Sequence, residues 1–433
     1  MTTDALPKDA EVVVIGGGVV GASIAYFLAK RGIAVALCEK GRIAGEQSSR
    51  NWGWIRQQGR DVREVPAILE SLKIWRGLEA ELDEDVGFRN NGVLYLAESE
   101  AQLAEHDDWL ALAKTHGIDS RRLGRAEVGE LLGHNDPPWK GGLYTPSDCQ
   151  AEPAKAVPAI ARGVEKLGGT VITNCAVRGL QRVGGRVSGV VTERGEIACH
   201  AVVCAAGAWA SLFNGNLGFR LPQLKVRGSV GRTEPAPQVT EGALSDSHLS
   251  LRRRQDGGYT MAYPGVTQYD IVPESFRYLR AFLPLIRHSR RGLKLRLGRR
   301  FAEELGIARR WQLDETTPFE QVRVLDPKPN ERFLAQALVE AGARFPSLRG
   351  IKFVETWAGM IDVTPDAIPV ISPVEALPGY FIAAGFSGHG FGLGPGAGLL
   401  MAQLVAGETP AVDMTPFRYS RFIDGTKIVP GHY

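Results

Sequence analysis

A glycine-rich turn near the start of the chain constrains its fold more than any other feature. Residues 12–15, Val-Val-Val-Ile, are a β-branched run typical of a buried parallel strand, and Gly16, Gly18 and Gly21 follow it at G-x-G-x-x-G spacing. Apolar residues then recur at helical spacing, and residues 33–38 form a second strand-like run. This order of strand, turn, helix and strand is typical of a dinucleotide-binding unit.

Glu39 ends the second strand about 20 residues after the glycines, where a carboxylate can accept hydrogen bonds from both hydroxyls of an adenosine ribose. A carboxylate there argues against a 2′-phosphate cofactor such as NADP and leaves NAD and FAD open. The alternative is a signal or membrane segment over residues 12–28. The glycines interrupt that stretch, no basic region precedes it, and it is shorter than the ~20 apolar residues of a span.

The composition predicts a globular protein of two or three domains. The chain has 433 residues, 44% of them hydrophobic and 23% charged, and its net charge of +3 indicates no particular partner and no nucleic acid. We expect no targeting segment. Five cysteines without a C-x-x-C pair predict buried reduced thiols in a cytoplasmic protein and no metal site. They are Cys38, Cys149, Cys175, Cys199 and Cys204.

Residues 45–58 are too polar for a strand and too interrupted by glycine and tryptophan for a regular helix. We predict a loop that leads into a helix, with Ser48 or Ser49 as the N-cap. Because loops after parallel strands face the ligand crevice, we expect this loop and its Arg56 to line the site. The alternative is a surface loop with an incidental arginine.

The middle of the chain first repeats the α/β pattern and then changes. Residues 66–129 indicate helices around one strand, and residues 153–204 indicate a helix followed by strands. The last of these strands runs into residues 205–210, Ala-Ala-Gly-Ala-Trp-Ala, whose small side chains let a nucleotide approach the backbone. From residue 221 to 346 short strands predominate.

Residues 277–310 carry a strong excess of positive charge. Interleaved apolar residues make this segment amphipathic, and we predict that it is helical. Its usual interpretation is a solvated face whose long side chains cover the core. The alternative is docking to an acidic partner or a membrane surface. The segment contains only two acidic residues, Glu303 and Glu304. Its basic residues are Arg277, Arg280, Arg287, Arg290, Arg291, Lys294, Arg296, Arg299, Arg300, Arg309 and Arg310.

A second glycine-rich junction between a strand and a helix lies near the C-terminus. A strand at residues 380–384 runs into residues 385–398, Gly-Phe-Ser-Gly-His-Gly-Phe-Gly-Leu-Gly-Pro-Gly-Ala-Gly, and a helix follows. Its free N–H groups could stabilise a second negative centre. An NAD site is completed within one sheet domain, whereas a flavin ring, negatively charged when reduced, needs such a distant helix N-terminus to return to the first site. The pattern therefore favours FAD.

Together these motifs resemble the D-amino-acid oxidase family of flavoproteins, which includes glycine oxidase, sarcosine oxidase and D-amino-acid dehydrogenase. The resemblance rests on the first glycine motif with Glu39, on residues 205–209, on Thr-Pro-Asp at residues 364–366 and on Gly-Phe-Ser-Gly-His-Gly-Phe at residues 385–391. It covers nearly the whole chain in the right order.

The resemblance implies an α/β protein with a discontinuous Rossmann-type FAD-binding domain and an α+β substrate domain built on an antiparallel sheet. The implied segments are 1–88, 150–220 and 353–412 for the FAD domain, 89–149 and 221–352 for the substrate domain, and 413–433 for a C-terminal tail.

The resemblance also implies a reaction. A hydride would leave the carbon next to the nitrogen of an amino acid or an N-substituted amino acid for flavin N5, and the resulting imine would hydrolyse. Arg56 falls where sarcosine oxidase has an arginine that pairs with the substrate carboxylate, and such bidentate pairing is strong and orienting. Tyr263 and His389 complete the expected catalytic set. No proton-abstracting base is required if the amine binds neutral.

The cofactor contacts that the resemblance implies come from three parts of the chain. They are Gly16, Gly18, Gly21, Glu39, Lys40, Ser48, Ser49, Arg50, Val177, Gly207, Trp209, Gly359, Gly388, His389, Gly390, Phe391 and Gly392. Two positions depart from sarcosine oxidase. Gly392 stands where that enzyme has a lysine that also contacts the carboxylate, and Gly359 stands where a cysteine tethers its flavin. The second departure predicts that FAD is held non-covalently.

Two functions of different classes follow from the sequence. The favoured one is an FAD-dependent amine or amino-acid dehydrogenase or oxidase that passes electrons to oxygen, a quinone or a redox protein. The alternative is a flavoprotein of the same fold retained as a partner subunit or assembly factor without turnover, docking through residues 277–310. We expect a cytoplasmic location. If residues 277–310 dock to a membrane surface, we expect the protein at the inner face of the membrane.

Overall fold

The computed structural model describes residues 6–264, 267–288 and 293–431. The strands, in chain order, are β1 (Val12–Ile15), β2 (Val35–Cys38), β3 (Trp54–Ile55), β4 (Val93–Ala97), β5 (Arg121–Gly124), β6 (Gly141–Thr145), β7 (Cys149–Gln150), β8 (Thr170–Ile172), β9 (Val177–Val183), β10 (Arg186–Thr192), β11 (Gly195–Ala198), β12 (Ala201–Cys204), β13 (Leu224–Thr233), β14 (Ala243–Ser245), β15 (Ser250–Arg253), β16 (Tyr259–Ala262), β17 (Thr267–Asp270), β18 (Leu293–Arg296), β19 (Phe353–Val363), β20 (Val370–Pro373) and β21 (Tyr380–Ala384). The α-helices are α1 (Val19–Ala29), α2 (Gln47–Arg50), α3 (Val65–Leu82), α4 (Glu100–Thr115), α5 (Arg125–Leu132), α6 (Pro153–Lys166), α7 (Ala210–Asn216), α8 (Pro273–Arg277), α9 (Leu279–His288), α10 (Arg299–Leu305), α11 (Pro318–Gln321), α12 (Glu331–Arg344) and α13 (Gly390–Val405).

The first βαβ unit forms the centre of a six-stranded sheet with the order β20-β21-β12-β1-β2-β8. The neighbours from β21 to β8 are parallel, and β20 runs antiparallel to β21. Val12 and Val14 of β1 face a core shared with α1, α3, α6 and α13, whereas Val13 and Ile15 face a second core on the other side. Burial on both faces explains why β1 is apolar throughout, and the sheet confirms the predicted Rossmann-type fold.

Glycine lets α1 lie directly against the end of β1. A Cβ atom on Gly21 would stand 1.9 Å from the carbonyl oxygen of Gly16, and one on Gly398 would stand 2.4 Å from the Cβ atom of Ser23 where α13 crosses α1. A backbone oxygen cannot rotate away from such a contact as the end of a side chain can. Position 21 is therefore restricted to glycine by space alone.

The second large sheet is mainly antiparallel, as the fold class predicted. Its order is β18-β17-β13-β16-β15-β14-β4-β6-β5, and β19 pairs with β13 from Val363 opposite Leu224 to Phe353 opposite Thr233. The chain was predicted to return to the FAD domain at residue 353. Instead it first adds β19 to this sheet and joins the six-stranded sheet only at β20.

The residues predicted to form a C-terminal tail pack against the six-stranded sheet. Phe417 and Tyr419 are buried in the cores on its two faces. Arg421 is also buried, and its Nε atom lies 2.8 Å from Oδ2 of Asp366. A buried ion pair of this kind fixes the chain end to the turn that precedes β20.

The basic segment differs from the single helical run that its amphipathic pattern predicted. It contains parts of α8, all of α9 and α10, and the strand β18, which extends β17 in parallel. Arg290 and Arg291 lie outside the described residues. Across the described ranges, we find no helix with the length and apolar character needed to cross a membrane.

The contact at Gly21 makes a prediction about stability. Gly21→Ala should lower the free energy of unfolding by about 2 kcal/mol or more, since overpacking a rigid site costs about 1–3 kcal/mol. Gly77→Ala is the matched control, because Gly77 is exposed in the middle of α3 with open space around it. That change should raise stability by up to about 1 kcal/mol. Urea denaturation of both variants measures the difference, and a Gly21→Ala protein as stable as wild type would contradict the packing argument.

Candidate functional site

A cleft opens at the carboxyl ends of β1, β2 and β12, where the loops of a parallel sheet face a ligand. The predicted cofactor residues that line it are Gly16, Gly18, Glu39, Lys40, Ser48, Val177, Gly207 and Trp209. Six further lining residues lie in the segments 45–58 and 205–210 that were expected at the site: Gly45, Glu46, Gln47, Ala205, Ala206 and Ala208. The lining residues that were not predicted are Ile15, Cys38, Cys175, Phe213 and Phe319. The first glycine motif, the loop after β2 and the end of β12 thus meet in one place.

The floor of the cleft is the turn between β1 and α1. Gly16 has a φ of +109°, and a Cβ atom there would stand 2.5 Å from the carbonyl oxygen of Ala205. Ser48 was predicted to cap its own helix, but its hydroxyl instead accepts a hydrogen bond of 2.8 Å from the N–H of Val19. Ser48 therefore caps α1 from another loop, and the next N–H groups of α1 remain available to an anion.

Glu39 is held by two backbone amides. Its Oε2 atom accepts a hydrogen bond of 2.7 Å from the N–H of Gly17, and its Oε1 atom accepts one of 2.7 Å from the N–H of Gly41. Burial raises the pKa of Glu39, and the two amides oppose this shift. Since a carboxylate offers about four acceptor positions, these bonds orient Glu39 and still leave it able to accept from two ribose hydroxyls.

One wall of the cleft is built on Lys40. Its Nζ atom lies 2.7 Å from Oε1 of Glu46 and 4.7 Å from the centre of the Trp209 ring. The indole N–H of Trp209 also donates to Glu46, at 3.1 Å. Glu46 lies in the polar loop that was expected to line the site, but it was not among the predicted cofactor contacts. No sequence pattern predicts that Lys40 and Trp209 both donate to it.

Residues 319–325, which we call the strap, run along this wall. Lys40 donates to the carbonyl oxygens of Val322 and Arg323, at 2.7 and 2.9 Å, and the N–H of Leu325 donates to Glu46 at 2.9 Å. The strap also brings Phe319 into the cleft. It belongs to the stretch assigned to the substrate domain, and no sequence motif marks it.

Helix α2 and the loop that follows it are joined to β19 by Arg50, the last residue of α2. The guanidinium of Arg50 donates to Asp326 at 2.8 Å and to the carbonyl oxygen of Ala358 at 2.7 Å, while the Ser49 hydroxyl donates to a backbone carbonyl at 3.3 Å. A Cβ atom on Gly359 would stand 2.2 Å from Oε1 of Gln47. Arg50 and Ser49 therefore position the loop, and Gly359 makes room for it.

The second glycine-rich junction is tied to the end of β12 through Asp362. Its Oδ2 atom accepts hydrogen bonds from the N–H of Gly385 at 2.7 Å and from Nε2 of Gln223 at 3.1 Å. Gln223 also donates to the carbonyl oxygen of Gly207, at 3.0 Å. Burial raises the pKa of Asp362 to about 6, although the Gly385 N–H opposes this. Asp362 thus connects the turn at Gly385 to the residues that follow β12.

Helix α13 begins at this junction and presents unbonded N–H groups. Gly388 has a φ of +84°, His389 is the residue before the helix, and Gly390 is its first residue. His389 is buried, with Nδ1 2.9 Å from Oε2 of Glu64. Burial lowers the pKa of His389 to about 4, so the ring is neutral at pH 7. Phe391 turns inward and packs on Trp75, with ring centres 5.1 Å apart.

The backbone at Gly392 is buried, and its carbonyl oxygen accepts from Ser71 at 2.6 Å and from Trp75 at 3.0 Å. A Cβ atom at position 392 would stand 3.6 Å from Nη2 of Arg60. The guanidinium of Arg60 therefore occupies the space into which a longer side chain at position 392 would extend. The sequence analysis did not single out Arg60.

Arg56 lies at the edge of this region and is half-buried. Its guanidinium donates to the carbonyl oxygen of Gln58 and stands 5.7 Å from the centre of the Tyr95 ring. In the described ranges no carboxylate lies within ion-pair distance of Arg56. Arg56 is therefore not held in place by an ion pair with an acidic residue of the described ranges.

Tyr263 lies on the other face of the large sheet. Its ring packs against His248 and Phe333, with centres 6.1 and 5.7 Å apart, next to the core that contains Leu251 and Met261. Tyr263 packs in the same core as Tyr259 and Met261. Because side chains alternate along a strand, Thr260 and Ala262 face the opposite side of the sheet. The structure does not bring Tyr263 together with Arg56 and His389, and we withdraw it from the catalytic set.

The residues present fit FAD. The N-terminus of α1 offers N–H groups for a pyrophosphate, Glu39 offers acceptors for a ribose, and the N-terminus of α13 offers N–H groups for a second negative centre. Nothing lies within 4 Å of the Cβ position of Gly207, and Oε1 of Gln47 is buried without a donor among the described residues. An extended ligand with hydrogen-bond donors suits such a cleft.

Sequence and structure comparisons both find relatives of this chain. A family model described as FAD dependent oxidoreductase (DAO) matches residues 11–404. The structure is similar to L-amino acid deaminase from Proteus myxofaciens in complex with anthranilate, with a TM-score of 0.94 and 32% identity over 97% of this chain and 95% of that chain. Sarcosine oxidase subunit beta of Arthrobacter sp is 27% identical over 96% of this chain and 92% of its own length. Mitochondrial sarcosine dehydrogenase of Mus musculus is 29% identical over 96% of this chain, which spans 42% of the relative.

The geometry of Glu39 makes a prediction about the cofactor. Glu39→Ala should weaken FAD binding by ~10-fold or more, because a hydrogen bond to a charged group contributes about 1.5–3 kcal/mol. Glu11→Ala is the matched control, since Glu11 accepts from the N–H of Ala34 at 2.9 Å on the exposed surface of the same βαβ unit. Titration of each apoprotein with FAD gives the dissociation constants. Equal constants for the two variants would remove Glu39 from the site.

Proposed function

Because the chain belongs to the family of FAD-dependent oxidoreductases that matches residues 11–404, we propose that it oxidises the C–N bond of an amino acid or an N-substituted amino acid. It is an FAD-dependent enzyme of a family whose members oxidise amines. The relatives are named as oxidases, dehydrogenases or deaminases, which supports turnover. One of them is named as a subunit, so a role as the catalytic subunit of a larger enzyme is compatible with this proposal.

The residues that would hold FAD come from both glycine-rich junctions. The N-terminus of α1 would bind the pyrophosphate, Glu39 the ribose, and residues 388–390 with the N-terminus of α13 the flavin ring. When bound, FAD supplies an acceptor for the hydride that leaves the carbon next to the substrate nitrogen, and water then hydrolyses the imine. Gly359 offers no atom for a covalent tether, which supports non-covalent binding.

The observation that carries the proposed substrate class is the state of Arg56. Its guanidinium is half-buried, donates to a backbone carbonyl and has no carboxylate at ion-pair distance among the described residues. A half-buried cation without a counter-charge is suited to an anionic ligand. We assign that ligand as the carboxylate of an amino-acid substrate, which Arg56 would orient.

In this proposal His389 does not act as a catalytic base. Its ring is neutral, buried and directed to Glu64. It therefore acts as a positioning residue, which fixes the backbone at the start of α13. Proton abstraction from the substrate is not needed if the amine binds in its neutral form.

The first test is the replacement of Arg56. Arg56→Ala should lower kcat/KM for an amino-acid substrate by roughly 100-fold or more, as expected when the partner of a desolvated charge is lost, while FAD content stays normal. Arg56→Lys should recover only part of this, because an ammonium group lacks the planar fork. Steady-state kinetics and the visible absorbance of bound flavin provide both readouts.

The matched control for this test is Arg63→Ala. Arg63 lies on the same loop, but its guanidinium is paired with Asp61 at 2.7 Å. Because Arg63 already has a counter-ion, it offers no free charge to a carboxylate. Its loss should therefore leave kcat/KM within about 3-fold of wild type. Wild-type kinetics in Arg56→Ala would refute the carboxylate assignment, and a best substrate without a carboxylate would remove its premise.

The electron acceptor could be oxygen, a quinone or a redox protein, and we propose that residues 277–310 bring the enzyme to a membrane surface. Four large apolar side chains in or beside this segment are between 62% and 71% exposed: Phe276, Leu295, Leu297 and Leu305. A merely solvated face does not account for them. Exposed leucines next to basic residues suit the boundary between anionic head groups and acyl chains.

The charges of this segment divide into two groups. Arg299, Arg300 and Arg309 are paired with Glu303, Glu304 and Glu274. Arg296 lies 4.0 Å from Asp270. Arg310 has no acid partner in the described part of the chain, but it donates to the carbonyl oxygen of Asn216 at 2.8 Å. Four exposed cations of the segment have, among the described residues, neither an acid within ion-pair distance nor a hydrogen-bond acceptor: Arg277, Arg280, Arg287 and Lys294. This second group is free to meet anionic lipids, which are concentrated on the cytoplasmic leaflet. The proposal therefore places the enzyme at the inner face of the membrane.

Vesicle binding tests this placement. FAD-loaded protein should sediment with vesicles of phosphatidylglycerol and phosphatidylcholine, and the double variant Leu295→Ser, Leu297→Ser should bind roughly 10-fold less, since burying an apolar side chain contributes about 1.5–3 kcal/mol. Val183→Ser is the control, because Val183 is 73% exposed on the separate three-stranded sheet. Absence of binding, or equal binding by the double variant, would overturn the proposal, and capture of a protein acceptor through the segment would replace it.

A further inference from the structure

Asp148 lies in the turn between β6 and β7, and its carboxylate is fully buried. Its Oδ1 atom accepts hydrogen bonds from the N–H of Gln57 at 2.6 Å and from Nε2 of Gln57 at 3.2 Å. Its Oδ2 atom accepts one from the N–H of Gln58 at 3.4 Å. Gln57 and Gln58 directly follow Arg56, so one carboxylate holds the backbone of the loop that carries this arginine.

The hydrogen bonds continue from Gln58 to the guanidinium of Arg56. Arg56 donates to the carbonyl oxygen of Gln58. The side chain of Gln58 is buried as well, and its Oε1 atom accepts from the hydroxyl of Thr145 at 2.7 Å. The direction of the Arg56 guanidinium therefore depends on where the backbone of Gln58 lies, and Asp148 and Thr145 fix that place.

Asp148 also supplies negative charge near Arg56 without pairing with it. Among the described residues, no arginine or lysine lies within ion-pair distance of Asp148. Its oxygen atoms are instead bonded to amides of the loop. The charges of Asp148 and Arg56 still stabilise each other through the protein interior, where screening by water is weak. Arg56 thus has a balancing charge nearby and keeps N–H groups for an external carboxylate.

The ionised form of Asp148 does not add to the stability of the fold. Burial raises the pKa of Asp148 to about 7, although the N–H of Gln57 and the charge of Arg56 oppose this. An aspartate in an unfolded chain has a pKa of about 3.9, so the folded state binds the proton more tightly and stability falls as pH rises from about 4 to about 7. A buried carboxylate with this cost, next to a ligand-binding loop, is typical of a functional residue.

We infer that Asp148 is a positioning residue, whose ionised carboxylate holds Arg56 in the orientation that binds the substrate carboxylate. This inference rests on the proposed function and adds control by pH to it. When Asp148 takes up a proton, one of its oxygen atoms becomes an O–H donor and faces an N–H donor of Gln57 or Gln58. That N–H then lacks an acceptor, the backbone of Gln58 is released, and Arg56 loses its fixed orientation.

Other ionisable groups surround Asp148 and its loop. They are Arg56 and Arg60 of the same loop, Tyr95 of β4, Cys149 of β7, Arg76 of α3, which donates to the carbonyl oxygen of Ser147 at 3.3 Å, Asp119, which accepts from the Ser147 hydroxyl at 2.6 Å, and His116, which lines the same groove as Gln57. Guanidinium groups stay charged near neutral pH, and burial raises the pKa of Cys149 to about 12, so its thiol stays neutral. Asp119 is exposed. Histidine titrates near neutral pH, so His116 needs its own control.

The test measures acetate binding to the FAD-loaded protein, without turnover, by the perturbation of the flavin absorbance. Acetate stays ionised from pH 8 to pH 6, since carboxyl groups titrate near pH ~4. The dissociation constant of the wild type should rise about 5-fold or more over this range, because only the protein with ionised Asp148 binds tightly. Asp148→Asn should bind acetate about 10-fold more weakly at pH 8, as expected when a buried carboxylate is lost from a hydrogen-bond network, and its constant should not change with pH.

Two control variants separate positioning from a purely structural role. Asp246→Asn removes another buried carboxylate, which accepts from Nε1 of Trp139 at 3.0 Å in a different core. It should lower the melting temperature and leave acetate binding and its pH dependence as in the wild type. His116→Gln should also keep the pH dependence. If Asp246→Asn weakens acetate binding as much as Asp148→Asn does, or if His116→Gln removes the pH dependence, the inference fails.

The wild-type protein alone already decides the main point, even if Asp148→Asn does not fold. A constant for acetate that is equal at pH 8 and pH 6 would overturn the role of Asp148. Arg56→Ala then distinguishes this inference from the proposed function. Acetate binding that needs Arg56 but depends neither on pH nor on Asp148 would overturn the inference and leave the proposed function intact. Acetate binding that is absent in the wild type, or unchanged in Arg56→Ala, would overturn both.

Discussion

The contact between α1 and the end of β1 determines where every part of the cleft lies. Gly21 lets the first turn of α1 rest on the carbonyl of Gly16, and Gly16 in turn rests on the carbonyl of Ala205 at the end of β12. These are contacts between backbones, so no side-chain rotation can relax them. Because β1, β12 and α1 meet at this point, the residues that follow each strand, such as Glu39 and Gly207, must face the same space.

The cleft is completed by polar side chains from distant parts of the chain. Asp362, at the end of a strand in the large antiparallel sheet, joins the turn at Gly385 to Gln223 and through it to Gly207. Ser48 reaches the N-terminus of α1 in the same way. Each of these bonds joins residues far apart in sequence, so the two sheets are parts of one site rather than independent units.

The sequence predicted the features that depend on local backbone geometry and failed on those that depend on tertiary contacts. Glycine spacing and a strand-ending Glu39 are local, and they identified the Rossmann-type sheet. The face on which Tyr263 lies depends on which side of its strand packs against the core, which alternation alone does not decide. Gly392 stands where sarcosine oxidase has a lysine. Arg60 brings its guanidinium close to that position from another part of the chain, and only the folded chain shows this.

The strap has a consequence for the lifetime of the loaded enzyme. It is held across one wall of the cleft by hydrogen bonds from Lys40 and to Glu46, and Arg323 donates back to the carbonyl oxygen of Lys40 at 2.9 Å. A dinucleotide in the cleft cannot leave past this wall until several of these bonds open together, which is a local unfolding event. For a ligand that leaves by this wall, residence time and equilibrium affinity become separate properties, since the bonds that must open join protein atoms to each other.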